Sequence, residues 1–157
     1  MVKVSIIIPN YNHSAYLKQR IDTVLSQTFQ DFELIILDDN SSDNSKEIIE
    51  SYKDHNKVSH VIYNERNSGS TFKQWEKGIN LAKGDYIWIA ESDDWCEANF
   101  LEELIKLHKS RQDIGLVYCK SFPIDSKNNI TDFNDGWLRR LDNKRWDSDF
   151  FNYGQNE

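Results

Sequence analysis

An open, mostly parallel, doubly wound α/β sheet with helices on both faces is what this sequence predicts, and three observations predict it. Short runs such as Val4-Ser5-Ile6-Ile7-Ile8 are too continuously apolar and β-branched for a strand with one wet face, so they read as strands buried on both sides. Segments with apolar residues at helical spacing lie between them. The two kinds of segment take turns along the chain, which requires right-handed βαβ crossovers. Sheets of this kind bind ligands beyond the carboxyl ends of their strands, where the strand order reverses.

Val4 to Ile8 is the first strand, closed by Pro9. From Tyr16 to Gln27, Leu17, Ile21, Val24 and Leu25 form the stripe of an amphipathic helix, with Asn12 or Ser14 as its cap. Phe32 to Leu37 is a second buried strand ending in Asp38-Asp39. A helix follows from Ser45 to Lys53, turning Ile48, Ile49 and Tyr52 inward, with Asn44 and Glu47 spaced as a capping box. Val58 to Tyr63 is the third strand. A polar loop with Gly69 leads to a helix whose Phe72, Trp75, Ile79 and Ala82 share the face expected to pack inward, and Lys83-Gly84-Asp85 stops it. Tyr86 to Ala90 is the fourth strand. Ala98 or Asn99 begins a helix running to Ser110, and Leu116 to Cys119 reads as a fifth strand. Past Ser121 no period emerges, and Trp137, Trp146, Phe150 and Phe151 stand among charges.

At 157 residues the chain suits one compact domain, and its 38% hydrophobic and 29% charged composition is that of a globular protein. A formal charge of −7 argues against a nucleic-acid partner, which a basic face recruits, though a divalent cation can still bridge acidic residues to a small phosphorylated ligand. No apolar run reaches bilayer-spanning length, so no transmembrane segment is expected. The strand pattern begins at Met1-Val2-Lys3-Val4 without a leader, and a cytoplasmic location follows as the expectation. Cys96 and Cys119, in no CxxC pair, read as free thiols in a reducing compartment.

The most telling stretch is Glu91-Ser92-Asp93-Asp94, directly after the fourth strand. A strand that ends in carboxylates crowds negative charge at the rim of a sheet, where a cation or a row of donors is needed to make it tolerable. That points to a metal site. Pro9-Asn10-Tyr11-Asn12 and Asp38-Asp39-Asn40 are two further polar strand ends.

Four segments in order then carry a resemblance: Val4 to Asn12, Leu25-Ser26-Gln27-Thr28-Phe29, Asp38 to Asp43, and Ala82-Lys83-Gly84-Asp85-Tyr86-Ile87 leading into Glu91 to Asp94. Over Lys3 to Tyr118 the chain resembles the family-2 glycosyltransferases, whose GT-A fold is that of nucleotide-diphospho-sugar transferases. The resemblance implies that Pro9 and Tyr11 line the nucleobase pocket and that Asp39 accepts a hydrogen bond from the base. Uracil suits such a carboxylate, because its N3–H is a donor. Asp38 and Asp39 also suit a turn that caps a helix, and for Asp38 both roles stay open. Glu91-Ser92-Asp93 occupies the place of the family's DxD motif, which makes Asp93 the principal ligand for Mg²⁺ or Mn²⁺. Glu91 stands where the family has aspartate, its carboxylate displaced by about one carbon–carbon bond, and contacts ribose or metal. Asp94 is a ribose, metal or structural contact. Lys73 sits near where the family places a basic residue facing the diphosphate, a site at which a lone lysine can equally be solvated.

The reaction implied is transfer of a sugar from a nucleotide diphosphate donor, with UDP as carrier, to a hydroxyl on a saccharide or lipid-linked saccharide, as in polysaccharide biosynthesis. The transfer is expected to invert the anomeric carbon and to be assisted by the cation. It needs a general base that the family supplies later than these segments. Asp132, Asp135, Asp142, Asp147 and Asp149 have no matching context, so no base is named. Residues 1–120 are therefore expected to form the nucleotide-sugar-binding core. Residues 121–157 would be an unassigned tail, the cut start of an acceptor-binding part, with the full-length protein peripheral at the membrane.

Two rivals remain. A sugar-nucleotide-binding module or nucleotidyltransferase would keep the fold, but the latter usually opens with a Gly-rich basic loop, which Pro9 to Asn12 is not. A phospho-accepting signalling domain would need a lysine at a strand end, for which Lys120 is the candidate. His13 reads as a loop residue, His55, His60 and His108 lack ligand spacing, and Trp75, Trp88 and Trp95 are assigned to core packing.

Overall fold

The computed structural model describes residues 3–111, 113–125, 127, 129–131, 148 and 150–153. It divides into two compact units, Met1–Gln112 and Asp113–Glu157.

In the first unit, β1 (Val4–Asn10), α1 (Ser14–Leu25), β2 (Phe32–Asp38), α2 (Ser45–Glu50), β3 (Val58–Tyr63), α3 (Thr71–Leu81), β4 (Tyr86–Ile89) and α4 (Phe100–Ser110) alternate as expected. The four strands are parallel, in the order β3-β2-β1-β4. From β1 the chain steps outward to β2 and β3, then returns to lay β4 on the other side of β1. The switch point of the sheet thus falls between β1 and β4.

Every residue of β1 and β2 is buried, which is why those two strands read as unbroken apolar runs. Their side chains divide by parity. Ile6, Ile8, Leu34 and Ile36 pack with Leu17, Ile21 and Val24 of α1, Ile49 of α2, and Leu101 and Ile105 of α4. Ile7, Ile35 and Leu37 face the opposite way, with Leu81, Ala82 and Ile89 against them. Helices therefore cover both faces.

Pro9 lies inside β1, opposite Leu37 of β2, instead of closing it at Ile8. A central strand tolerates proline only where a ladder bond is not needed. The β1–β4 pairing stops at Ile7 and Ile89, leaving Pro9 free on that flank. The ladder between the two strands thus ends short of their carboxyl ends, at the switch point.

α3 departs from the expected packing. Phe72 is 71% exposed and Ile79 49% exposed, whereas Gln74 and Gly78 are buried. The reason is close approach to β1: a Cβ on Gly78 would come within 2.5 Å of Ile7 Cγ2, so the helix lies on the sheet through its smallest residue. A mid-helix glycine costs about 1 kcal/mol relative to alanine, a cost this contact offsets. Ala82 alone of the expected face packs on the core beneath.

The expected caps do not form. Asn44 makes no side-chain cap bond, so the Asn44–Glu47 box is absent, and the cap position of α1 falls on His13 rather than Asn12 or Ser14, again without a side-chain cap bond. Asp43 takes over both tasks, accepting the Ser14 amide at 2.8 Å and the Ser45 amide at 3.0 Å. One carboxylate at two helix N-termini meets partial positive charge from each. Burial opposes its ionisation, but hydrogen bonds from Ser45 and Ser14 outweigh that and hold Asp43 at about 2.

In the second unit, Leu116 to Lys120 is not a strand. Lys120 is consequently not at a strand end, which removes the geometry that a phospho-accepting domain needs. Ile124 and Ile130 form an isolated antiparallel bridge around a turn in which Asp125 accepts the Lys127 and Asn129 amides. The tail carboxylates Asp132, Asp135, Asp142, Asp147 and Asp149, and also Trp137 and Trp146, lie outside the described residues. Among the described residues no helix is long and apolar enough to cross a membrane.

Candidate functional site

The carboxyl ends of β2, β1 and β4 stand side by side, so the three polar strand ends share one edge of the sheet. The loops there need a left-handed backbone at Asn12 (φ 56°), Asn40 (φ 64°) and Gly69 (φ 66°). Asparagine and glycine tolerate that conformation best, which explains those residues at those places.

The β1 and β2 ends are laced together. Asn10 Nδ2 donates to Asp38 Oδ1 at 2.8 Å, and Asp38 receives the Ser41 amide at 3.0 Å and its hydroxyl at 2.6 Å. Asn12 Oδ1 accepts the Ser42 amide at 2.8 Å. Asp38, for which two roles were open, is a buried turn organiser. Pro9 is buried beside this network, whereas the Tyr11 ring just beyond it is exposed and available to a flat partner.

Asp39 is buried, and donors surround it. Oδ1 accepts from Asn64 Nδ2 (2.5 Å), the Ser68 amide (2.9 Å) and Gln74 Nε2 (2.9 Å), while Oδ2 accepts the Ser68 hydroxyl at 2.7 Å. A carboxylate offers about four lone-pair sites, so these are all engaged. Asp39 thereby fixes the β3–α3 loop, and Asn67 adds a bond to its carbonyl. Lys73 donates to the Ser68 carbonyl at 3.2 Å and lines a cavity of about 690 Å³ with Asn64, Arg66, Ser68 and Lys77. Glu65 also lines it, but Pro9, Tyr11, Glu91, Asp93 and Asp94 are not on that cavity's wall.

At the β4 end, residues 91–94 form a tight turn, with the Asp94 amide bonded to the Glu91 carbonyl at 3.3 Å. Side chains from three directions hold it. The indole Nε1–H of Trp75, on α3, donates to Glu91 Oε1 at 2.8 Å. Arg20, on α1, donates from Nε to the Glu91 carbonyl at 2.7 Å and brings Nη2 to 3.6 Å from Asp94 Oδ2. His13 Nδ1 and the buried Ser92 hydroxyl share a hydrogen bond of 2.8 Å. Asp93 is exposed and makes no hydrogen bond or ion pair with any described residue.

The electrostatics follow from this crowding. Burial, then the neighbouring Asp93 and Asp94, push the Glu91 carboxyl up, against the hydrogen bond from Trp75. Desolvation and Asp93 also push Asp94 up while Arg20 opposes them, a small effect for a side chain 69% exposed. The turn is thus a place where added positive charge is favourable. Among the described residues no three His, Cys, Asp or Glu side chains form a metal cage. The donor set is nevertheless all oxygen, and a hard divalent cation needs only one or two carboxylates when phosphate oxygens and water supply the rest. Asp93 fits that demand.

Several residues here were not singled out in the sequence. Arg20 had a signal, a charge inside the apolar stripe of Leu17, Ile21 and Val24. Gln27 had none. Buried, it donates to the Glu97 carbonyl at 2.8 Å and accepts the Leu101 amide at 2.8 Å, pinning the start of α4 behind the acidic turn. Trp75 is not core as expected, since its indole serves Glu91 and its ring meets Phe72 edge-on at 4.9 Å. Trp95 is exposed rather than packed. Trp88 does pack on the core, 4.9 Å from Phe100.

Comparison with known proteins extends this picture. Glycosyltransferase GlyG of Streptococcus pneumoniae is 38% identical over 101 residues, covering 64% of this chain and 33% of that protein. The crystal structure of S. aureus TarS 1-349 in complex with UDP matches with a TM-score of 0.63 at 27% identity, over 70% of this chain and 33% of that one. The mannosyltransferase PcManGT from Pyrobaculum calidifontis, in complex with GDP-Man and Mn²⁺, has a TM-score of 0.68 over 80% of this chain and 37% of its own; at 20% identity it speaks for the GT-A fold alone. The chain thus spans about a third of the length of these proteins. The family model described as Glycosyl transferase family 2 matches residues 5–156, nearly the whole sequence, and the chain belongs to that family.

Proposed function

We propose that this chain holds the nucleotide diphosphate sugar donor, with uridine as its base, in an enzyme that passes the sugar to a hydroxyl of a saccharide or lipid-linked saccharide. The observation that carries this reading is the acidic turn at the switch point, where Glu91, Ser92 and Asp94 are engaged by protein groups and Asp93 is left to a ligand. A Mg²⁺ or Mn²⁺ held between Asp93 and the diphosphate would neutralise the charge that builds on the departing group.

The residues divide the work. The exposed Tyr11 ring stacks on the base above the buried Pro9. Asp39 serves the base by exchanging one of its protein donors for the base N3–H, and otherwise keeps the Asn64–Ser70 loop in place. Glu91 and Asp94 flank the ribose and the metal, and Lys73 faces the diphosphate across its loop. As the acceptor oxygen bonds to the anomeric carbon from the far side, the bond to the diphosphate breaks and the configuration inverts; the acceptor proton passes to a carboxylate base that no described residue is assigned to be.

A melting-temperature panel tests the reading. Uridine, guanosine, cytidine and thymidine diphosphates, each with and without Mn²⁺, raise the melting temperature only where they bind. The uridine nucleotide with Mn²⁺ should give the largest shift, lost in Asp93→Ala. Equal shifts for all four bases, or a shift that survives Asp93→Ala, would overturn it.

A further inference from the structure

The acidic turn is gripped from two helices on opposite faces of the sheet, by Arg20 of α1 and Trp75 of α3. Arg20 lies in the buried stripe of α1, its side chain 4% exposed, where a methionine or leucine would pack beside Leu17, Ile21 and Val24 at no desolvation cost. Its ionic partner Asp94 is largely solvated and 3.6 Å away, a geometry that contributes little. What the guanidinium supplies and an apolar side chain could not is direction, through the 2.7 Å bond from Nε to the Glu91 carbonyl. That same carbonyl closes the turn by accepting the Asp94 amide. From α3, the Trp75 indole fixes the Glu91 side chain at 2.8 Å. Glu91 is therefore held by backbone and side chain at once, and Asp93 projects from a turn whose first residue is tied at two points.

We propose that Arg20 and Trp75 are positioning residues for the donor's metal-bridged diphosphate, acting through Glu91 to place the Asp93 carboxylate; the proposal rests on the donor-site reading above. Neither side chain needs to touch the ligand. Their effect belongs to the cation-dependent part of binding, because the base is placed at the β1 and β2 ends, whereas the hydrogen bonds of these two side chains go to Glu91 and Cys96.

The test measures UDP affinity by calorimetry with and without Mn²⁺, and amide exchange of residues 91–96 in the free protein, for wild type, Arg20→Met, Arg20→Lys and Trp75→Phe. Arg20→Met fills the same stripe, and Trp75→Phe keeps a ring while removing the N–H. Each should lower the Mn²⁺-dependent gain in UDP affinity by about tenfold or more, leave metal-free UDP affinity within about twofold, and speed exchange in 91–96 but not in β1 or β2. Arg20→Lys, which keeps the charge and loses the fork, should fall between Arg20→Met and wild type. A gain equal to wild type in Arg20→Met and Trp75→Phe, with or without a lower melting temperature, overturns the proposal. So does exchange that rises equally throughout the sheet. A wild type lacking any Mn²⁺-dependent gain fails the donor-site reading instead; the exchange data then decide whether the two side chains set the turn, and unchanged exchange sinks that as well.

Discussion

Two aspartates at strand ends on either side of β1 have opposite fates. Asp39, after β2, is 4% exposed and accepts hydrogen bonds from Asn64, Ser68 and Gln74. Asp93, after β4, is exposed and has no hydrogen-bond or ion-pair partner among the described residues. The same functional group is structural in one place and available in the other, and the difference lies in the loops around it. The β3–α3 loop folds over Asp39 and turns its donors inward, whereas the acidic turn has its donors taken by Glu91, Ser92 and Asp94. The larger loss of stability should therefore fall at Asp39, and the loss of cation-dependent binding at Asp93.

Asp39→Ala strands the buried Gln74 amide and the half-buried Asn64 and Ser68 donors at once, each worth about 1 kcal/mol, so a loss of about 3 kcal/mol in urea unfolding is expected. A loss under about 1 kcal/mol would break the contrast, because Asp39 would then not be holding its loop. Asp43→Asn comes next, costing about 1 to 2 kcal/mol at pH 7 once solvent screening is allowed for. Asp43 sits at about 2 in the fold against an ordinary 3.8, so its contribution is complete above that ordinary value and disappears as pH falls through about 2. The difference between Asp43→Asn and wild type should accordingly vanish toward pH 2; a difference constant from pH 7 to pH 2 would place its origin elsewhere.

Phe72→Ser on the solvent face of α3 should change stability by less than about 0.5 kcal/mol, in spite of removing a large aromatic. A loss near 3 kcal/mol, the magnitude of a core deletion, would mean that the helix face had been placed wrongly. Asp93→Asn should have the smallest effect of all on unfolding, about zero or slightly stabilising, since it relieves repulsion from Glu91 and Asp94. In the same variant the Mn²⁺-dependent binding of UDP should disappear in calorimetry. Retained binding would erase the distinction between the two aspartates.

Legibility in the sequence followed the same division. β1 and β2 were readable because burial on both faces leaves no alternation to confuse with anything else, and α1 because its stripe is the one that packs. α3 misled, since Phe72, Trp75 and Ile79 form the apolar face while the sheet selects Gly78 for closeness and Gln74 for its reach to Asp39. Leu116 to Cys119 had a strand's composition without a neighbouring strand to pair with among the described residues. Within the site, the carboxylates were visible as a cluster. Their individual states were not, because the partners Trp75, Arg20 and His13 come from residues 16, 71 and 79 positions away.

The sequence by itself determined the alternation of strand and helix, the buried strands and the three polar strand ends, because each depends on neighbours a few residues apart. Only the tertiary structure decided which helix face meets the sheet, which carboxylate is saturated and which is free. Those outcomes depend on how closely two elements approach and on which donors a distant loop brings within about 3 Å, and no local pattern of residues encodes that distance.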